Sequence, residues 1–384
     1  MGWSAFRKTG LTHRGATASK GYTLVSPMTG SDTYLIDMSG QVVHRWRFEG
    51  FRLIYSRLLP NGNLLTLAGD ESLPVPVMAP GQAPTFEEQV RMTGGVATHL
   101  IESSWDGGVV SKYENPAIHH DFVRLPNGHT WLTEIVQLPE DVAREVRGGL
   151  RTGPRPPRMI SDDFIEIDAQ GKELRRLHLW QLLDPRRDPI CPLERRDSWT
   201  HTNSLDVTPD GDLVFSCRHN SRLGIVELKS GALAWKYGAP DVTHQHHVTA
   251  LANGNVQVFD NGMHRTGMSH SAIVEVNPKN NEVVWRYTGS PESQFFSGHI
   301  SGAERLADGH VLVTEGTSGR LFEVTRKGEV VWEWISPFVT ARREQPLSWV
   351  FRAYRYSLDD PAIAGRELDP VRHRELNRAY GLGE

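Results

Sequence analysis

The chain has 384 residues and a formal net charge of −4, with no basic stripe, which removes the electrostatic case for a nucleic-acid partner. Its two cysteines, Cys191 and Cys217, are too few for a disulfide framework, and spacing alone does not say whether they pair. No apolar run approaches the roughly 20 residues a membrane helix needs, and the basic start lacks the apolar centre of a secretory signal. The expectation is therefore a cytoplasmic protein with a small-molecule partner and none in nucleic acid or membrane. Its oligomeric state leaves no mark in the sequence.

In chain order, one unit recurs: an alternating apolar run, a polar turn, and a second run that usually ends on an aromatic. It appears as "TYLIDMSGQVVHRWRF" (33–48), "HLIESSWDGGVVSKY", "DFIEIDAQGKELRRLHLW", "LGIVELKSGALAWKYG", "SAIVEVNPKNNEVVWRYTG" and "RLFEVTRKGEVVWEWIS". Alternation with period two around Asp, Gly, Asn or Lys marks half-buried antiparallel hairpins. Between these outer hairpins lie more apolar inner ones: "LLPNGNLLTLAG", "RLPNGHTWLTEI", "VTPDGDLVFSCR", "ALANGNVQVFDN" and "RLADGHVLVTEG". Their Asn-Gly, Asp-Gly and related steps supply the positive φ of a tight turn.

Each inner hairpin pairs with the outer hairpin that follows. The first outer hairpin has no inner partner ahead of it, and "LSWVFRAYRYS" near residue 350 is the one β-like segment left over. Joining them predicts an all-β, six-bladed β-propeller of four-stranded blades, in which N-terminal strands close the ring with a C-terminal strand. The propeller spans about residues 21–362 of a single domain, and 363–384 reads as a polar helical tail. Three loops are swollen, at 70–98, 136–162 and 181–200, and the second holds a short helix in "PEDVAREVRG". Long loops in a compact fold are commonly functional. The arginine-rich "RTGPRPPR", "DPRRDP" and "LERRD" read as solvated loops, because proline and aspartate interrupt them.

Histidine is concentrated just ahead of the inner turns. His120, His201, His246 and His299 each stand eight or ten residues before their turn glycines (Gly128, Gly211, Gly254, Gly309). An even difference preserves strand parity, so all four imidazoles are expected to face one end of the central channel. One histidine at a strand start is ordinarily a packing residue; four in register point to function. His119, His244 and His247 fall out of that register and are expected at the rim. His264 and His270 come in the next connection, within reach of it. His129 and His310 follow turn glycines and are expected to be exposed. Glu134, Asp260 and Glu315 stand six residues past their glycines, where a carboxylate can fix an imidazole tautomer. Arg218, seven past Gly211, offers a planar fork for an anion or a salt bridge to one of those acids.

These segments resemble the bacterial arylsulfotransferases. The likeness runs from about residue 21 to 362, through "GYTLVSP", "HHDFVRLPNG", "HTNSLDVTPDG", "SCRH", "QHHVTALANG", "VFDNG" and "VFRAYRYSLDDPA". It implies a six-bladed propeller that moves a sulfuryl group from an aryl sulfate to a phenol through a sulfohistidine, without a nucleotide cofactor. It places the nucleophile at His246, after Gln245, with His120, His201 and Arg218 in support; His299 has no role in that scheme, and Asn203, two residues past His201, is a candidate for contact with substrate or with those groups. Apolar loop segments ("SLPVPVMAP", "FFSG", "ISPFVT") are expected to hold the ring. A second reading is a lyase, hydrolase or oxygenase with one divalent ion (Fe, Mn, Zn or Cu) on His120, His201, His246 and His299. A third is a binding platform without chemistry.

Overall fold

The computed structural model describes residues 8–79, 82–150, 158–342 and 345–383. Most of the "RTGPRPPR" segment lies outside them. Blade 1 joins Tyr22–Pro27, Asp32–Ile36 and Val42–Arg47 to Val350–Tyr356. Blade 2 is Phe51–Leu58, Leu64–Asp70, His99–Ser103 and Val109–Glu114; blade 3 is Ile118–Arg124, Thr130–Gln137, Ile160–Ile167 and Glu173–His178. Blade 4 is Thr202–Val207, Leu213–Cys217, Arg222–Glu227 and Ala232–Gly238; blade 5 is His246–Ala250, Val256–Asp260, Ala272–Asn277 and Glu282–Tyr287. Blade 6 is Gly302–Arg305, Val311–Glu315, Arg320–Val324 and Val330–Ile335. This is the all-β, six-bladed propeller class, closed where Thr23 and Leu24 pair with Arg355 and Tyr354.

The inner turns form for the reason the sequence gives. Gly62, Gly128, Gly211, Gly254 and Gly309 all have φ between 82° and 91°, a region that side-chain-bearing residues enter at a cost. Several strands were not foreseen: Tyr22–Pro27, the short pair Thr340–Arg342 and Gln345–Leu347, and Gly10–Arg14. Gly10–Arg14 adds to the outer edge of blade 6, with Gly10 opposite Ile335 and Leu11 opposite Trp334. Its five residues are too few and too mixed to show alternation.

The described residues divide into two compact units. Blades 1 and 6 and most of blade 2 belong to the unit made by residues through Ala68, Leu100–Lys112 and Ile300 onward. Its core packs Trp332 and Trp334 with Val25 and Ile36, and Trp46 with Leu53 and Leu64. Blades 3, 4 and 5 belong to the unit made by Gly69–His99 and Tyr113–His299. Here Trp131, Phe164, Trp199 and Phe215 form one cluster, and Leu223, Val258 and Val274 another. Burying each such side chain contributes roughly 2 kcal/mol.

All three swollen loops lie in the second unit. The first contains a helix, Phe86–Met92, which opens on a capping box between Thr85 and Glu88. The second contains the expected short helix, Glu140–Glu145. The third is pinned at both ends of its last stretch. Trp199 sits in the core and donates Nε1–H to the Asp188 carbonyl (2.7 Å). The buried Asp188 carboxylate meets Arg222 (2.9 Å) and Lys236 (2.8 Å) of blade 4. At the C-terminus, Pro370–His373 and Arg374–Ala379 form the short helical tail. Both cysteines are free thiols. No helix among the described residues is long and apolar enough to cross a membrane.

Candidate functional site

β-Bulges decide where the histidines point. In blade 3, Leu132 faces Phe122 but Thr133 faces His119, so His120 and Asp121 are extra residues on that strand. Blade 4 has a break between Thr202 and Ser204, and blade 5 between His246 and Thr249. A bulge resets alternation, which overturns the parity argument. The residues with left-handed backbone at these kinks are His120 (φ 54°), His201 (53°) and His247 (49°). His246 pairs with Phe259 as His119 pairs with Thr133, so by register His246 is the counterpart of His119. Before blade 6, the left-handed residues are Ile300 and Ser301, and His299 precedes them.

Imidazoles from blades 3 and 4 nevertheless meet. The His119 and His120 rings lie 5.0 Å apart, His120 meets His201 edge-on at 4.7 Å, and His201 stacks on His219 at 4.5 Å. His119 Nε2 lies 3.2 Å from Asp162 Oδ1. That carboxylate also accepts from the Thr202 N–H (2.6 Å) and the Thr200 hydroxyl (2.7 Å). Burial alone would raise Asp162, but the His119 charge and these hydrogen bonds outweigh it and hold its pKa below the usual value. Gly95 covers the face of the His120 ring; a Cβ there would fall 2.5 Å from His120 Nε2.

A second chain of contacts runs toward blade 5. Arg218 Nη1 donates to Glu194 Oε1 (2.7 Å), whose carboxylate also lies 3.8 Å from His219 Nε2 and 3.5 Å from His244 Nδ1. His244 Nε2 is 3.1 Å from His264 Nδ1, which is 3.5 Å from Cys191 Sγ. Burial and the neighbouring Arg218 charge push His244 down to about 2, and burial with nearby charge also lowers His201 and His219. These three imidazoles are neutral at pH 7.

His246 is held on its own terms. Its Nδ1 lies 2.7 Å from Asn261 Oδ1 and 3.2 Å from the His244 carbonyl. Asn261 donates its Nδ2–H to the Ser297 carbonyl (2.7 Å), which fixes Oδ1 as the atom facing His246. Two acceptors at Nδ1 require the proton there, so the Nε2 nitrogen carries the lone pair. Asn203 acts on the same segment from behind, donating to the Gln245 carbonyl (2.7 Å).

Several expected roles move. Glu134 bonds Arg176 and Asn115, Asp260 bonds Arg265, and Glu315 bonds Arg320 (3.0 Å). All three hold arginines where imidazoles were expected, because the residue six past the turn lies beside its cross-strand neighbours: Glu134 stands opposite Asp163, and Arg176 bridges both. Arg218 forms a salt bridge, but to Glu194. His119, His244 and His247 are buried, not at the rim. His129 and His310 are only partly exposed and bond Glu166 (2.9 Å) and Glu323 (2.7 Å). His264 does reach the site. The ligand atoms of His120, His201, His246 and His299 do not form a metal-sized group; among the described residues those that do are Cys191–His244–His264 and Asp308–His310–Glu323. Sequence reasoning passed over Asp162, Glu194, His219, Cys191 and Asn261. Asn261 and His219 lie in motifs already quoted, "VFDNG" and "SCRH", whereas nothing marks Asp162 or Glu194.

A cavity of about 1380 Å³ opens onto His201, His219 and Glu194. Its apolar wall includes Met92, Leu138, Val146 and Met159. Phe295 and Phe338, expected to hold a ring, are core residues instead, against Phe259 and Tyr34. Six arginines line it against four carboxylates, among them Arg158, Arg186, Arg195 and Arg196. The arginine segments read as solvated loop therefore supply a cationic wall.

In comparison with known proteins, a crystal structure of a protein of unknown function from Bacteroides caccae is similar at 12% identity and a TM-score of 0.53, over 87% of this chain and 98% of that one. Virginiamycin B lyase from Staphylococcus aureus gives 12% identity and a TM-score of 0.46, over 86% and 85% of the two chains. The first likeness supports the fold alone, and the second is too low to carry an argument. No curated protein matches. The family model described as Arylsulfotransferase (ASST) matches residues 100–337, which includes every blade of the second unit and the histidine site: this chain belongs to the arylsulfotransferase family.

Proposed function

We propose that the protein transfers a sulfuryl group from an aryl sulfate to a phenolic acceptor through a covalent intermediate on His246, without a nucleotide cofactor. Family membership supports a sulfotransferase-like activity in general. The observation that carries the finer reading is the fixed His246 tautomer, with Nδ1–H on Asn261 Oδ1 and the His244 carbonyl. The Nε2 lone pair attacks sulfur, the sulfur–aryl-oxygen bond breaks, and its electron pair leaves with the phenoxide. Positive charge then grows on the imidazole, where the two carbonyl oxygens at Nδ1 stabilise it. In the second half, the acceptor phenol loses its proton, its oxygen attacks sulfur, and the N–S bond breaks.

The leaving phenoxide needs a proton and the acceptor phenol must lose one. The Asp162–His119–His120 array suits both tasks, since a carboxylate at one end stabilises an imidazolium passing through the pair. His201 presents a neutral imidazole toward the cavity, whereas the His219 Nδ1–H is committed to the Ser198 carbonyl (3.1 Å); Arg218 keeps guanidinium N–H groups beyond the one bonded to Glu194. The arginine-lined cavity suits an anionic donor, and its apolar wall suits an aromatic ring.

The reading is tested by mixing the protein with an aryl sulfate alone, quenching, and measuring intact mass. The expected result is one added sulfuryl group per chain, mapped to His246 and absent in His246→Asn. An adduct elsewhere, or turnover retained by His246→Asn, overturns it.

A further inference from the structure

Cys191, His244 and His264 converge from three separate segments: the third swollen loop, the approach to blade 5, and the connection after its second strand. Tetrahedral zinc with a Zn–S distance of about 2.3 Å and Zn–N distances of about 2.0–2.1 Å places its donor atoms roughly 3.4–3.6 Å apart. Here Cys191 Sγ to His264 Nδ1 is 3.5 Å, and His264 Nδ1 to His244 Nε2 is 3.1 Å. All three donor atoms lie within 4.8 Å of one another. They already sit near the edges of such a tetrahedron.

The surroundings match what a bound cation requires. The other nitrogen of His244, Nδ1, is buried without a hydrogen-bond partner and faces Glu194 Oε1 at 3.5 Å. A metal on Nε2 puts the imidazole proton on Nδ1, facing that carboxylate, and so favours the carboxylate–histidine–metal arrangement that orients a ligand imidazole and raises its basicity. Glu194 also pairs with Arg218 (2.7 Å), so the nearby guanidinium is neutralised. The Cys191 backbone is fixed by its N–H to the His219 carbonyl (2.8 Å), and Cys191 and His264 are partly exposed, which gives an ion a way in. Both histidines sit at left-handed backbone, φ 53° and 61°.

We propose that Cys191, His244 and His264 bind a zinc-class divalent cation through one thiolate and two imidazoles, leaving the fourth position to water. Binding releases the Cys191 S–H proton to solvent. Because the His244 carbonyl is one of the two acceptors that hold His246 Nδ1–H, a metal on His244 fixes the segment that presents His246. The site stands on its own geometry and does not depend on the sulfuryl-transfer reading.

Protein purified without chelator is analysed for zinc, and chelator-dialysed protein is titrated with cobalt(II) and read by absorption. The expected result is about one ion per chain and a thiolate-to-cobalt charge-transfer band. Affinity should fall at least about tenfold in His264→Ala, and the band should vanish in Cys191→Ser. No band in the wild-type protein, or a band unchanged in Cys191→Ser, overturns the site, whichever way the zinc analysis falls. Neither measurement reads turnover, so its failure is distinguishable from failure of the His246 mechanism.

Discussion

The Nδ1 atoms of His119 and His120 lie 2.7 Å apart, so imidazoles on consecutive residues share one hydrogen bond. Adjacent residues of a regular strand point to opposite faces and cannot do this. The left-handed φ of His120 and the bulge that follows bring the rings together. One of the two Nδ1 atoms must hold the proton, and Asp162 beside His119 Nε2 stabilises the pair when it takes up a second. Asp162→Asn removes that charge with little change of shape. We expect kcat to fall by about 100-fold with KM nearly unchanged, measured by steady-state kinetics. An equal loss in kcat and gain in KM would mean general disruption.

Gly95 faces the same ring. Its φ of 74° and the 2.5 Å approach of a hypothetical Cβ to His120 Nε2 leave no room for a side chain. Gly95→Ala should lower stability by at least about 1 kcal/mol in urea unfolding and reduce turnover along with it.

Asn261 fixes the His246 tautomer. Asn261→Ala removes one of two acceptors and lets the proton move to Nε2, which blocks the nucleophile. Adduct formation with donor alone should slow by roughly 10- to 100-fold, while the protein loses about 1–3 kcal/mol of stability. Unchanged adduct kinetics would remove Asn261 from the mechanism.

His201, His219 and His244 are all lowered in the folded state by burial and neighbouring positive charge. Below the unfolded-state value of about 6.5, the unfolded chain takes up protons that the folded chain does not. Their contribution is therefore fully present above pH 6.5 and is lost as pH falls toward the folded values. Each adds a slope of about 1.4 kcal/mol per pH unit in that window. Urea midpoints measured from pH 8 to 4.5 should be flat at first and then fall steeply; a flat profile down to pH 5 would contradict neutral buried imidazoles.

The side chains of Arg147 and Arg158 line the cavity, are exposed, and form no hydrogen bond or ion pair with described residues. The double substitution to serine should raise KM for an aryl sulfate several-fold at low salt, with kcat little changed. The effect should shrink as ionic strength rises and screening shortens the reach of the charge.

The first and last thirds of the chain show how far local pattern reaches. Alternation in "TYLIDMSGQVVHRWRF" and "LSWVFRAYRYS" is a property of neighbouring residues, so their meeting in one closing blade could be read before any coordinates, whereas Tyr22–Pro27, the strand that lies between them, could not. The Thr85–Glu88 capping box was equally local, though its helix was not anticipated. Gly10–Arg14 was not legible, because an edge strand of five mixed residues owes its form to the strand beside it.

The amino-acid order by itself settled the five repeated hairpin pairs and the sixth outer hairpin, the glycines that turn them and the crowding of histidine ahead of the inner strands, since each depends on backbone conformation and period over a few residues. Which imidazoles meet, and with what, was decided by tertiary structure. An inserted residue at a bulge reverses every later side chain; Asp162 stands near the start of the strand Ile160–Ile167, ahead of the alternating run, and Glu194 and Cys191 arrive from a loop whose sequence carries no period to mark them. Contacts across 40 or more positions, such as Asp162 with Thr202 or His244 with Glu194, are set by how blades and loops pack together.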